Sequence, residues 1–76
     1  MYKRTIKGEQ YVLYKDEEEF YKYNPQKKIQ EDWRTAQTGD WIKSDDGKVT
    51  VVIKRGYIDK LNKDGSQYIR TLLGMV

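Results

Sequence analysis

The hydrophobic pattern is clearest between Gly39 and Gly56, where two extended runs flank the pair Asp46-Gly47. Val49, Val51 and Ile53 fall on one face at period two, with Thr50 and Lys54 on the other. Val52 breaks the alternation, which predicts a strand that is tightly curved or covered on both sides. An Asp-Gly pair between such runs predicts a β-hairpin closed by a two-residue type I′ turn. Trp41, at the start of the first of these strands, is expected in the core. Upstream, Met1 to Gly8 reads as a loose arm or short edge strand, and Gln10 to Lys15 as the first regular strand. Asp16 to Tyr23 reads as one or two helical turns with Asp16 as N-cap and Glu19 at the capping-box position; Asn24-Pro25 ends them. Gln26 to Gln37 is a connector whose apolar positions Ile29, Trp33 and Ala36 permit a short helix, with Trp33 capping the core. Downstream, Tyr57 to Leu61 and Gln67 to Leu73 read as two more strands around a second turn, Asn62 to Ser66, that contains Asp64-Gly65. The resulting expectation is a mainly β domain: an antiparallel meander over residues 40 to 73, joined by the strand at 10 to 15, curling into a small barrel of about five short strands.

Composition narrows the function more than the fold. The chain has 76 residues and contains neither cysteine nor histidine, which removes thiolate nucleophiles, imidazole bases and the usual zinc ligands. A single small domain with no enzymatic activity is therefore expected. Two tryptophans and seven tyrosines supply apolar area that a disordered chain lacks. No leader and no membrane-spanning stretch is apparent, so a soluble protein inside a cell is expected. The apolar ending Leu73-Gly74-Met75-Val76, without a polar tail, gives the expectation of a chain cut from a longer one. The net charge of +3 is unevenly placed. Residues 1 to 40 carry eight basic and eight acidic side chains, and residues 41 to 76 seven basic and four acidic, so the excess falls in the second half.

No phosphate loop or dinucleotide fingerprint is present, because no glycine leads into a helix with the required companions. Asp45, Asp46 and Gly47 lack the later ligands of a calcium loop, and Asp16 to Glu19 is the acidic start of a helix rather than a metal site. Neither catalytic residues nor a metal, cofactor or small-molecule substrate is assigned. What remains is a basic and aromatic set in the second half. Lys54, Arg55, Tyr57, Lys60, Lys63 and Arg70 are the expected nucleic-acid contacts, the cations meeting phosphates and the ring offering a stacking plane. Lys43, Lys48 and Tyr68 belong to the same wider set.

Glu31-Asp32-Trp33-Arg34-Thr35-Ala36-Gln37-Thr38-Gly39-Asp40-Trp41-Ile42, the turn Asp45-Asp46-Gly47, Ile53-Lys54-Arg55-Gly56 and Tyr68-Ile69-Arg70-Thr71 together resemble a small N-terminal domain of tailed-bacteriophage proteins of the small terminase subunit type. The resemblance covers residues 31 to 74. It implies an SH3-like barrel of phage origin, acting in the host cytoplasm as an accessory that binds nucleic acid or supports a DNA-packaging complex. The competing expectation is a protein-interaction module, either a virion component or an inhibitor of a host defence protein, presenting tyrosines and the acids Glu17 to Glu19 to a phage or host partner.

Overall fold

The computed structural model describes residues 1–61 and 65–74. The chain forms β1 (Tyr2–Ile6), β2 (Glu9–Tyr14), α1 (Glu17–Tyr23), β3 (Ile29–Gln30), β4 (Trp41–Lys43), β5 (Val49–Val51), α2 (Gly56–Leu61) and α3 (Ser66–Gly74). The five strands make one mixed sheet in the order β1-β2-β5-β4-β3. All pairs are antiparallel except β3 with β4, which runs parallel with Ile29 opposite Trp41. The sheet is open, with β1 and β3 at its edges, and is not closed into the expected barrel.

The central hairpin is present, with β4 antiparallel to β5 in the register Trp41 to Val51 and Lys43 to Val49. Its turn differs from the expectation. The Gly47 amide donates to the Ser44 carbonyl at 3.0 Å and the Ser44 amide to the Lys48 carbonyl at 2.9 Å. Gly47 has φ of 92°, while Asp46 stays at negative φ. The turn is therefore a type I turn followed by a glycine bulge, a three-residue loop. The Asp46 carboxylate stabilises it, accepting from the Ser44 hydroxyl and the Lys48 amide. The type I′ geometry occurs instead at Lys7-Gly8, where both residues have positive φ, 51° and 85°. That two-residue turn joins Ile6 to Glu9 and makes residues 2 to 14 a regular hairpin.

Both faces of the sheet are covered. One face and the elements over it bury Ile6, Tyr11, Leu13 and Ile42 with Trp33, Val52, Ile58, Tyr68, Ile69 and Leu72. The opposite face buries Tyr14 and Val49 with Phe20 of α1, and Val12, Ile29 and Trp41 pack around them. Val49 and Thr50 are consecutive and both buried, so β5 is covered on both faces; Val52, where the alternation breaks, lies beyond the end of the strand. Trp33 is in the core as expected. Trp41 is only half-buried, its ring tilted against those of Tyr14 and Phe20 with centroids at 5.6 and 5.0 Å, and its neighbour Ile42 takes the interior position.

The expected strands at 57 to 61 and 67 to 73 are the helices α2 and α3. Tyr68, Ile69 and Leu72 are buried while Gln67 and Arg70 are exposed, a spacing of one and four that puts the apolar side chains on one helical face. Helices here cover a sheet face that strands in the same layer would leave open. The Tyr68 hydroxyl fixes α3 to the end of β5, accepting from the Ile53 amide and donating to the Val51 carbonyl, each at 3.1 Å. Of the expected second turn, Asn62, Lys63 and Asp64 lie outside the described residues. Gly65, at φ of 90°, precedes α3 as part of a connection between helices, not between strands. Gly65 packs so closely on Ile42 and Trp33 that a Cβ there would stand 2.7 Å from Ile42 Cδ1 and 2.8 Å from Trp33 Cβ.

The connector 26 to 37 contributes β3 and then a single turn, closed by the Ala36 amide on the Asp32 carbonyl at 3.0 Å, in place of a helix. α1 matches its expectation. Asp16 accepts from the Glu19 amide at 2.8 Å, and the Glu19 carboxylate is paired with the Met1 ammonium, so α1 is tied to the start of β1.

Candidate nucleic-acid interface

Beyond β5 the chain from Val52 to Arg55 has no regular secondary structure before it enters α2. The Val52 amide donates to the Asp40 carbonyl at 2.7 Å and the Lys54 amide to the Thr38 hydroxyl at 3.0 Å, so the segment is held against the loop that precedes β4. Lys54 and Arg55, though adjacent, meet different partners. The Lys54 ammonium lies 5.4 Å from the centroid of the Trp33 ring and 3.4 Å from the Arg34 carbonyl. The Arg55 guanidinium pairs with Glu9 of β2 at 2.7 Å.

The first turn of α2 follows at once. Tyr57 is 43% exposed while Ile58 is buried in the core and anchors the helix. The type I′ turn between β1 and β2 reaches the same place, with the Lys7 ammonium 4.9 Å from the centroid of the Tyr57 ring. Lys60 is exposed and lies three residues after Tyr57 on α2, on the same helical face. Lys7, Arg55, Tyr57 and Lys60 thus form one basic and aromatic corner, in which Glu9 and the exposed Asp59 supply the counter-charges.

Of the expected contacts, Arg55, Tyr57 and Lys60 share this corner. Lys54 faces the Trp33 side. Arg70 lies exposed on α3, and no described contact joins it to the corner. Lys63 lies outside the described residues. Lys7 was missed because it sits in the N-terminal arm, far from the other members in sequence. The available signal was a two-residue step ending in glycine between Thr5-Ile6 and Gln10-Tyr11-Val12, which reads as a hairpin turn once the arm is treated as a strand.

The titratable members of the corner are three cations, the carboxylates of Glu9 and Asp59, and the Tyr57 phenol. No described helix is long and apolar enough to cross a membrane. No family model, no curated protein and no solved structure matches this chain.

Proposed function

We propose that this chain is a non-enzymatic accessory domain that binds nucleic acid at the corner formed by Lys7, Arg55, Tyr57 and Lys60. The observation that carries the reading is the Lys7 ammonium over the Tyr57 ring, on the same helix start that Arg55 leads into. Phosphates are met by the Lys7 and Lys60 ammonium groups. Arg55 joins them by exchanging the exposed Glu9 carboxylate for a phosphate, and the half-exposed Tyr57 ring offers an apolar plane to a sugar or base. The wider setting, an accessory module of a phage DNA-packaging complex, rests on the resemblance of residues 31 to 74 to small terminase subunits.

Binding of this kind comes from phosphate neutralisation, so it is weak, nearly indifferent to sequence and strongly dependent on salt. The test is fluorescence anisotropy with duplex and single-stranded oligonucleotides over a range of salt concentrations. The paired change Lys7→Gln and Lys60→Gln is expected to lower the slope of log affinity against log salt by about 0.9 per lost contact on duplex, or about 0.7 on a single strand. Lys54→Gln, on the Trp33 side, should leave the slope nearly unchanged. Absence of binding by both oligonucleotides at low ionic strength overturns the proposal.

A further inference from the structure

The outer edge of β1 is independent of that corner and has no partner strand among the described residues. The two-residue turn at Lys7-Gly8 makes Ile6 and Glu9 a hydrogen-bonded pair. The alternation of an antiparallel ladder then gives the same status to Arg4 with Tyr11 and Tyr2 with Leu13. It follows that the amides and carbonyls of Lys3 and Thr5 point away from β2, and both residues are exposed. The strand cannot swing away easily, because the Met1 ammonium is paired with Glu19 at one end and Ile6 is buried in the core at the other.

We propose that this edge takes up an acidic, extended peptide segment as an additional strand. Charge identifies the occupant: residues 1 to 8 carry Lys3, Arg4 and Lys7 and no carboxylate. A second copy of the same strand, laid antiparallel, sets these cations against their own kind, so the edge repels itself while attracting an acidic chain. At the Tyr2 end of the strand an apolar pocket of about 110 Å³ is lined by Met1, Tyr2, Leu13 and Leu73, with Lys15 and Lys48 among its walls. Met1 and Tyr2 there are 54% and 45% exposed. The pocket takes one apolar side chain of the incoming segment, and its lysines extend the positive field along it. Backbone hydrogen bonds supply affinity in this mode, and side-chain pockets and charges supply selectivity.

The experiment is amide hydrogen exchange and chemical-shift titration of the whole chain with a capped peptide of alternating glutamate and valine. A lysine and valine peptide of the same pattern is the control. The acidic peptide is expected to protect the Lys3 and Thr5 amides, and the basic one to leave them unchanged. Thr5→Pro removes the outward amide at a position where an edge strand tolerates proline. It should weaken acidic-peptide binding by about tenfold, through a docked carbonyl left without its donor, while leaving oligonucleotide binding at the Tyr57 corner intact. Lys3→Glu, which keeps the backbone, should weaken it as well if Thr5→Pro lowers the folded population. Protection of neither amide overturns the proposal. So do equal affinity of the basic peptide, Lys3 and Thr5 amides already protected in a dimer of the free chain, and their protection by an oligonucleotide instead of the peptide.

Discussion

Replacing Tyr68 by phenylalanine removes a hydroxyl that serves the Ile53 amide and the Val51 carbonyl together. The expected cost is about 1–3 kcal/mol, the penalty for leaving buried polar groups without partners. Tyr11, whose ring meets that of Tyr68 edge-on at 5.9 Å, has a buried hydroxyl with no hydrogen-bond partner among the described residues. Tyr11→Phe should therefore shift stability by only about 0.5 kcal/mol or less, and urea denaturation of the two variants separates the roles. Burial also pushes the Tyr68 hydroxyl far above its ordinary titration range. A folded-state pKa above the unfolded value near 10 means that its contribution is complete below about pH 10 and declines as pH rises, by up to about 1.4 kcal/mol per pH unit. Alkaline titration of stability should show this decline, and Tyr68→Phe should flatten it. At the acid end, the Ser44 hydroxyl holds the Asp46 carboxyl below the usual carboxylate range. Its contribution is present above the unfolded pKa and fades as pH falls through the lowered folded value. Gly65→Ala combines a positive φ with a Cβ inside contact distance of Ile42 and Trp33, and about 2–4 kcal/mol of destabilisation is expected in the same denaturation assay.

At the scale of elements, legibility followed how much each local pattern had to decide alone. α1 was readable because three signals agree: Asp16 caps the Glu19 amide, acids gather in the first turn, and Asn24-Pro25 closes the end. Asp16→Ala should accordingly cost about 1 kcal/mol, read from the thermal midpoint. The hairpin at 41 to 51 was readable because Asp-Gly sits between β-branched runs. The loop length was not, since Asp46 can occupy either a right- or a left-handed position and the register across β4 and β5 makes the choice. Tyr57 to Leu61 and Tyr68 to Leu73 are short apolar runs whose period fits strand and helix nearly equally. What decides them is tertiary: β2 and β4 leave a face carrying Tyr11, Leu13 and Ile42 that needs a cover, and Ile58, Ile69 and Leu72 supply it from helices. β3 was invisible because two residues carry no period. Of the expected nucleic-acid contacts, Arg55, Tyr57 and Lys60 were placed together, but the fourth member, Lys7, reaches them only through the β1–β2 turn.

For the whole molecule, counting charge by halves of the sequence concealed where the cations go. The eight acids of the first half include the run at α1, on the face opposite α2 and α3, whereas Lys3, Arg4 and Lys7 belong to the hairpin that ends beside Tyr57. The same sheet joins the two apolar clusters. β5 contributes Val49 to the cluster with Phe20, and the chain leaving it contributes Val52 to the cluster with Trp33. Its Thr50 hydroxyl donates to the Val12 carbonyl at 3.0 Å, which binds it to β2 on the way. Neither cluster can lose its packing without unpairing this central strand, so the two should unfold as one cooperative unit. Each contains one tryptophan, Trp33 in the first and the half-buried Trp41 in the second, which makes the prediction measurable. In Trp41→Phe the remaining fluorescence reports on the first cluster, and in Trp33→Phe on the second. Within each variant, the fluorescence transition should coincide with the far-ultraviolet circular dichroism transition in urea, even where the substitution has moved the midpoint. Separate fluorescence and dichroism midpoints in either variant, or an extra plateau, would show that the layers on the two faces melt independently and that β5 does not couple them.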